Sequence, residues 1–350
     1  MKKILVECHH GIGDLVMTFP AIEKIKENNP NDEIHMLVRN EQQKELILDI
    51  GMADKCYTYD VVTSSVKKLL YLIKVFKKEG YALAYAFGQS PRGWDVLLLK
   101  MGRCKKIVSI RHEHPLCGRY HVIDVSGCTH RVDQHMRCVC DKKYQKNHRD
   151  WMPLPFAISE ALQKKIFLNC EKEKIGICLG TGDFFYRRGL KKIFYNAKQW
   201  PIDRFIHLGQ RLEDKGFEVI YFGGNKEKDY LKEQQIYIPK QSQNLIGKLT
   251  LTESVAMLKR CDLVVGSDTG MMHCAAAAGV KNLTIFGSTD ENIIGPYSDN
   301  SYYIINKKCQ CRPCFGRNDG KIIKCQSRKC LDGITEDMVY RKIMNIIEEK

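Results

Sequence analysis

A strand, a turn and a helix of small residues follow one another between residues 263 and 279, and this succession constrains the fold more than any other stretch. The apolar run 263–266 predicts a buried strand, Asp268-Thr-Gly270 predicts a turn, and the alanine-rich run that ends at Gly279 predicts a helix. A helix that begins directly after a strand points its free N–H groups and its positive dipole end beyond the sheet. The stretch therefore predicts a phosphate site at the edge of an open α/β sheet.

Apolar strands alternate with helical patterns along most of the chain. Strands are predicted at residues 3–7, 33–38, 56–59, 82–87, 106–110, 174–179, 218–222, 263–266 and 282–286. The first strand leads into Gly11-Ile-Gly-Asp14 and a predicted helix from Leu15 to about Asn28. This alternation favours parallel sheets with helices on both faces.

The pattern breaks at two prolines between Trp151 and Pro155 and resumes with a predicted helix at 159–168. We place a domain boundary near residue 170. The predicted organisation is an N-terminal acceptor domain over 1–170, a C-terminal donor domain over 171–334 with a cysteine-rich loop at 309–330, and a terminal helix over 335–350.

Length and charge bound the functional classes. A chain of 350 residues is long enough for two domains with separate cores, and no stretch approaches the roughly 18 apolar residues that span a bilayer. We therefore expect a cytoplasmic protein, in which the sixteen cysteines are thiols or metal ligands. A formal net charge of +15 indicates an anionic partner, although a solvated lysine-rich surface would give the same count.

Several motifs together resemble glycosyltransferase family 9, the heptosyltransferases. The donor-binding signature of that family is similar to the run from Asp268 to His273, followed by Phe286-Gly-Ser-Thr-Asp290 and Gly295-Pro296. Lys198-Gln-Trp-Pro201 and the Gly11–Asp14 turn resemble further elements of the family. The resemblance implies a GT-B fold, with two facing Rossmann-like domains, parallel sheets and the donor on the C-terminal domain. It also implies transfer of heptose, or a related sugar, from an ADP-sugar.

The donor site can be assigned residue by residue. The residues expected to bind the donor are Thr181, Gly182, Lys198, Glu227, Leu249, Asp268, Thr269, Gly270 and His273. No Asp-x-Asp metal motif is present in the sequence, so we expect no catalytic metal, and Lys198 with the N–H groups at Thr269 and Gly270 stabilises the leaving diphosphate. The resemblance implies that Glu227 binds the ribose hydroxyls and that Leu249 covers the base. Alternatives remain for three of these residues: Asp268 as a helix N-cap, His273 as a packing residue and Glu227 as part of a solvated helix start.

Asp14 is the predicted catalytic base, because the resemblance assigns that role to the aspartate of the glycine turn, facing the donor across the cleft. The chemistry implied is a single displacement with inversion at the sugar carbon. An aspartate directly before a helix is also a good N-cap, and this is the alternative role.

Five cysteines have the spacing Cys309-x-Cys311-x2-Cys314-x10-Cys325-x4-Cys330. Four thiolates at such spacings suit a tetrahedral ion, and we expect Cys311, Cys314, Cys325 and Cys330 to hold a structural zinc or iron. Free thiols in a loop are the alternative.

The expected partners are an ADP-sugar and an anionic acceptor, either a glycan or glycolipid such as the lipopolysaccharide core, or a protein. A peripheral contact with the inner membrane is also expected. Nucleic acid is not, because the chain has no recognition motif of the usual kinds. Two other functional classes remain open: a sugar-nucleotide epimerase of the same architecture and a basic, metal-containing nucleic-acid-binding protein.

Overall fold

The computed structural model describes residues 1–60, 63–88, 94–110, 120–140, 171–180, 185–188, 191–194, 198–314 and 328–349. These residues divide into two units, one within Met1–Asn147 and the other within His148–Lys350. The predicted boundary near residue 170 and the predicted helix at 159–168 lie outside the described residues.

The first unit is built on a six-stranded parallel sheet. Its elements are β1 (Lys3–Cys8), α1 (Ile12–Val16), α2 (Phe19–Asn28), β2 (Glu33–Val38), α3 (Glu41–Asp49), β3 (Lys55–Thr58), α4 (Val66–Glu79), β4 (Leu83–Ala86), α5 (Trp94–Met101), β5 (Ile107–Ser109), β6 (His121–Val122) and α6 (Arg131–Val139). The strand order is β3-β2-β1-β4-β5-β6, which is the Rossmann order. The apolar residues of β1 are buried on both faces, as strands covered by helices on both sides require.

The single helix predicted from Leu15 to Asn28 is wrong, because two helices, α1 and α2, occupy this stretch. Pro20 lies in the first turn of α2, where its missing N–H group costs nothing. The Thr18 hydroxyl lies in the two-residue break between the helices and donates to the Leu15 carbonyl at 2.7 Å. The break leaves α1 as a short, separate helix that carries the Gly11–Asp14 turn.

The second unit repeats the arrangement. Its elements are β7 (Lys174–Cys178), β8 (Phe185–Arg188), β9 (Lys191–Phe194), α7 (Ile202–Asp214), β10 (Glu218–Phe222), α8 (Asn225–Glu233), β11 (Gln243–Asn244), α9 (Leu251–Leu258), β12 (Leu263–Ser267), α10 (Gly270–Ala277), β13 (Asn282–Phe286), α11 (Glu291–Ile294), β14 (Ser301–Ile305), α12 (Lys329–Asp332) and α13 (Glu336–Glu348). The parallel sheet has the order β11-β10-β7-β12-β13-β14, and β8 and β9 pair separately as an antiparallel hairpin.

The C-terminal helix α13 belongs to the core of the second unit. Val339, Ile343 and Ile346 recur along one face of it and are fully buried. Tyr340 lies under the guanidinium of Arg211 from α7, with 3.7 Å between the guanidinium carbon and the ring centroid. The helix predicted at 335–350 is therefore present, and it completes the packing around α7.

The two parallel sheets confirm the α/β class with two Rossmann-like units that the GT-B assignment predicts. Among the described residues, every helix is too short or too polar to cross a bilayer.

Candidate functional site

Three loops of the second unit bring polar side chains together at the carboxyl edge of its sheet. Asp268 directly follows β12 and is only 5% exposed. Its Oδ2 atom lies 2.9 Å from the Lys198 ammonium and accepts a hydrogen bond of 2.8 Å from the Thr289 hydroxyl, in the loop after β13. A cation and a buried carboxylate are therefore fixed where open α/β sheets bind ligands.

The N-terminus of α10 opens beside this cluster. Thr269 is the N-cap residue of the helix, and its side chain makes no cap hydrogen bond. The N-cap role considered for Asp268 is therefore wrong, because its carboxylate bonds to Lys198 and Thr289 instead. The N–H groups of Gly270 and Met271, the first two residues of α10, precede the first intrahelical bond, which runs from the Met272 N–H to the Thr269 carbonyl at 3.1 Å, and they point along the helix axis. Together with Lys198 they form an arrangement suited to an anion.

Trp200 explains why Lys198 lies at this edge. The indole is fully buried, and its Nε1–H donates to the Ile334 carbonyl at 2.9 Å. The backbone N–H of Trp200 donates to the Ser267 hydroxyl, also at 2.9 Å. These two bonds fix the backbone two residues after Lys198 against the end of β12, which keeps the ammonium next to Asp268.

Glu227 is enclosed by glycines at the ends of β7 and β10. It is 6% exposed, and its Oε2 atom accepts a 2.6 Å hydrogen bond from the Gly224 N–H. A Cβ atom at residue 180 would lie 2.1 Å from Glu227 Oε1, so the carboxylate occupies the space that Gly180 leaves. The alternative of a solvated helix start is therefore half right: Glu227 caps the start of α8 through Gly224, but its carboxylate is buried. A role in holding a ribose stays a prediction.

The remaining donor-site predictions have different outcomes. His273 is 4% exposed on α10, as expected for a packing residue, so its contact with a donor stays a prediction. Leu249 is half-buried directly before Thr250, the N-cap of α9. Thr181 and Gly182 lie outside the described residues.

The beginning of the cysteine-rich loop is bonded to the loop after β13, at the carboxyl edge of the second sheet. The Arg312 guanidinium donates to the carbonyls of Gly287 and Thr289, at 2.8 and 3.0 Å, and pairs with Glu291 at 2.8 Å. The N–H of Cys314 donates to the Ser288 carbonyl at 2.9 Å. Sequence reasoning missed Arg312, and its only signal was a basic residue inside a run of cysteines.

The end of the cysteine-rich loop contacts the segment that carries Lys198. Arg328 donates to the Gln199 carbonyl at 2.8 Å, next to Lys198. Cys330 is buried in the core of the unit, whereas Cys311 is exposed and its sulfur lies 3.4 Å from that of Cys309. Cys325 lies outside the described residues. Within the described part of the chain, no three His, Cys, Asp or Glu side chains form a group that could hold a metal.

Asp14 lies within the first turn of α1 and is exposed. The N-cap residue of this helix is Gly11, so the capping role considered for Asp14 is wrong. Its Oδ2 atom turns back toward Gly11, where a Cβ atom would lie 3.4 Å away. The carboxylate is therefore free of the capping bond that would have given it a purely structural role.

A buried ion pair, Glu7 with His9, lies at the end of β1, just before the Asp14 turn. Glu7 is fully buried, and it accepts hydrogen bonds from the N–H groups of His9 and Gly88, both at 3.1 Å. Burial raises the pKa of Glu7, but the neighbouring His9 imidazole lowers it further, so the pKa lies below its usual value. Burial lowers the pKa of His9, and the Glu7 carboxylate more than reverses this, so that pKa is raised. Sequence reasoning missed the pair, whose only signal was a glutamate inside the predicted strand two residues before a histidine.

The Rossmann order of both sheets places the chain in the class of Rossmann-like α/β proteins, and the Lys198 cation beside the N-terminus of α10 is suited to an anionic ligand. The chain also matches the family model described as glycosyltransferase family 9 (heptosyltransferase) over residues 136–322, which is more than half of its length. The chain therefore belongs to glycosyltransferase family 9.

Curated relatives agree with this membership. Lipooligosaccharide heptosyltransferase 2 of Haemophilus influenzae is 30% identical over 146 residues, which is 41% of this chain and 39% of the relative. Lipooligosaccharide heptosyltransferase 2 of Campylobacter jejuni strain 81116 is 21% identical over 360 residues, which is 98% of this chain and 99% of the relative. Matches to the first three curated relatives span only 39 to 64% of their lengths.

The solved structure of Escherichia coli ADP-heptose LPS heptosyltransferase II has the same fold. The TM-score is 0.73 at 18% identity, and the alignment covers 100% of this chain and 99% of that one. At this identity the likeness supports the fold alone. Family membership favours a glycosyltransferase over the epimerase and the nucleic-acid-binding protein that the sequence had left open.

Proposed function

We propose that this protein is an inverting heptosyltransferase that moves heptose, or a related sugar, from an ADP-sugar to a hydroxyl group of the lipopolysaccharide core. The observation that carries the proposal is the Lys198–Asp268–Thr289 cluster beside the N-terminus of α10. The Lys198 ammonium and the positive end of the α10 dipole would attract a diphosphate leaving group without a divalent ion, and the Asp268 carboxylate offsets part of the charge of Lys198. The family membership and the names of the relatives support heptose as the sugar.

Each step of the reaction has a residue assigned to it. The acceptor oxygen attacks the anomeric carbon as the bond to the diphosphate breaks, and the electron pair of that bond leaves with ADP. Asp14 takes the proton of the acceptor hydroxyl. Lys198 and the free N–H groups of α10 stabilise the charge that develops on the departing phosphate. Glu227 holds the ribose hydroxyls, and Thr181, Gly182 and Leu249 complete the donor contacts.

The acceptor is proposed to be anionic because the chain carries a formal charge of +15. The names of the relatives favour a lipopolysaccharide or lipooligosaccharide core, and a protein acceptor is the second candidate. Such a glycolipid core would place the enzyme in the cytoplasm, in peripheral contact with the inner membrane.

A panel of nucleotide sugars tests the donor assignment. ADP-heptose, or failing that another ADP-sugar, should raise the melting temperature more than UDP- or GDP-sugars do. At a concentration of about 100 times Kd, the donor adds about 2.7 kcal/mol to the free energy of unfolding, which corresponds to roughly 5 to 10 °C for a domain of this size. A larger shift with a UDP-sugar would overturn the donor assignment and leave the fold unaffected.

We also propose that Cys311, Cys314, Cys325 and Cys330 hold one structural zinc or iron ion. The 3.4 Å between the sulfurs of Cys309 and Cys311 shows that thiols of this loop approach to nearly the separation found around one tetrahedral ion, about 3.8 Å for metal–sulfur bonds of about 2.3 Å. Cys309 is therefore a fifth candidate ligand. An ion with four thiolate ligands has no open position, so it acts on the fold and not on the reaction.

Elemental analysis tests the metal proposal on protein purified without a metal-affinity column. Cys311→Ser and Cys314→Ser should each lower both the metal content and the melting temperature, because metal binding to such a site is coupled to folding. Cys104→Ser, a half-buried cysteine of the first unit, is the matched control and should leave the metal content unchanged. Less than about a tenth of an equivalent of zinc and iron combined in the wild type would reduce the cluster to ordinary thiols.

A further inference from the structure

Helix α4 presents an exposed apolar surface on the first unit. Val66, Leu70 and Tyr71 are 71%, 52% and 61% exposed, and they are three of the eight large apolar side chains exposed among the described residues. At about 100° per residue they lie within one sector, opposite Leu72 and Phe76, which are buried in the core. The helix is therefore apolar on its buried face and, over its first two turns, also toward solvent.

Four lysines share this exposed sector: Lys67, Lys74, Lys77 and Lys78. None of them has an ion-pair partner in the part of the chain that the structure describes. Glu79, the acidic residue of the helix, pairs with Lys3 and Lys55 instead. The hydrogen bonds from these two lysines lower the pKa of Glu79 to about 2. The sector thus combines an apolar end with an uncompensated positive end.

The helix is firmly built, so the exposed sector is a stable feature of the surface. Ser65 caps its N-terminus by accepting a hydrogen bond from the Lys68 N–H, and Gly80 ends it in the left-handed conformation, with φ of 69°. Leu72, Ile73 and Phe76 anchor the opposite face. Substitutions on the exposed sector should therefore leave the fold intact.

We propose that the exposed sector of α4 docks the protein on the surface of an anionic lipid bilayer. The apolar side chains and the Tyr71 ring enter the interface, and the lysine stems lie along it while their ammonium groups meet lipid phosphates. A second copy of the chain fits this surface less well, because a twofold contact would bring the same unpaired lysines face to face. The docking surface extends the proposed function, since a glycolipid acceptor is presented at a membrane, but it is tested without any transfer reaction.

Vesicle flotation with the full-length protein tests the proposal. The wild type should float with vesicles that contain phosphatidylglycerol and should not float with pure phosphatidylcholine, and added salt should weaken the binding. A double variant that combines Leu70→Glu and Tyr71→Glu should lower the vesicle-bound fraction by at least about tenfold. Each of Lys74→Gln, Lys77→Gln and Lys78→Gln should lower the partition coefficient roughly fivefold.

Matched variants of the second unit serve as controls. Tyr237→Glu with Met338→Glu alters apolar side chains that are 79% and 40% exposed, and Lys215→Gln removes an exposed lysine. Both should bind vesicles like the wild type. A tryptophan at position 71, introduced as Tyr71→Trp, should shift its fluorescence to shorter wavelength when anionic vesicles are added.

Three results would overturn the docking surface. They are a wild type that does not bind anionic vesicles at low salt, control variants that lose as much binding as the α4 variants, and α4 variants that change the oligomeric state instead of vesicle binding. Transfer to a detergent-dispersed acceptor, measured in parallel, separates a failure of docking from a failure of the proposed function.

Discussion

Replacing Asp14 with asparagine should lower the rate of sugar transfer by about 10²- to 10⁴-fold, because a positioned general base contributes an effect of that size. The affinity for the donor should change little, since the donor is assigned to the second unit. Asp14 lies in the first turn of α1 without capping it, so the variant loses only a helix-dipole interaction of about 0.5 kcal/mol in the free energy of unfolding. Single-turnover kinetics and a donor titration together separate the chemical step from binding.

Asp203→Asn is the matched control for this experiment. Asp203 is also an exposed aspartate in the first turn of a helix, in this case α7. It should match the Asp14 variant in stability and the wild type in turnover. Wild-type turnover in the Asp14→Asn variant would show that another group accepts the proton.

Lys198→Met should weaken ADP binding by about thirtyfold, which corresponds to about 2 kcal/mol. The variant removes a cation from the proposed diphosphate site and also leaves the buried Asp268 carboxylate without its 2.9 Å partner. Because Lys198 is 26% exposed, we expect a value at the lower end for charge pairs of this kind. Calorimetric titration with ADP measures the loss, and Lys215→Met is the control for removal of a lysine.

A double-mutant cycle divides this effect into its two parts. Asp268→Asn keeps an oxygen that can accept the hydrogen bond from Thr289 but removes the negative charge. Added to Lys198→Met, it should recover part of the ADP affinity and of the melting temperature, because the unpaired buried carboxylate is gone. Unchanged ADP affinity in Lys198→Met alone would show that Lys198 only holds Asp268 in place.

The strands of both sheets could be predicted from the sequence because buried parallel strands are short, continuous apolar runs between turn residues. The helix over residues 15–28 was wrongly predicted as one element. Its apolar periodicity continues across the break, and the break depends on Pro20 together with one hydrogen bond of Thr18. Periodicity does not register an interruption of two residues.

The candidate donor residues could be chosen from the sequence by type, but their contacts could not. The motif around Asp268 indicated an anion site, whereas its bonds to Lys198 and Thr289 join residues far apart in the chain. The alternative of Asp268 as an N-cap was wrong for the same reason, since a local rule assigned the carboxylate to its own helix. Arg312 illustrates the limit most clearly, because its three partners, Gly287, Thr289 and Glu291, lie more than 20 residues earlier in the chain.

The close fit between Gly180 and Glu227 restricts how this sequence can vary. Alanine at position 180 would place a methyl carbon 2.1 Å from the Glu227 Oε1 atom, so the Glu227 side chain must move. Because Glu227 is 6% exposed and accepts the Gly224 hydrogen bond, we expect this movement to disturb its surroundings. We therefore expect the two positions to vary together. A natural variant with any side chain at 180 should carry a shorter residue at 227, and a mutational scan should find substitutions at 180 tolerated only in a background already altered at 227.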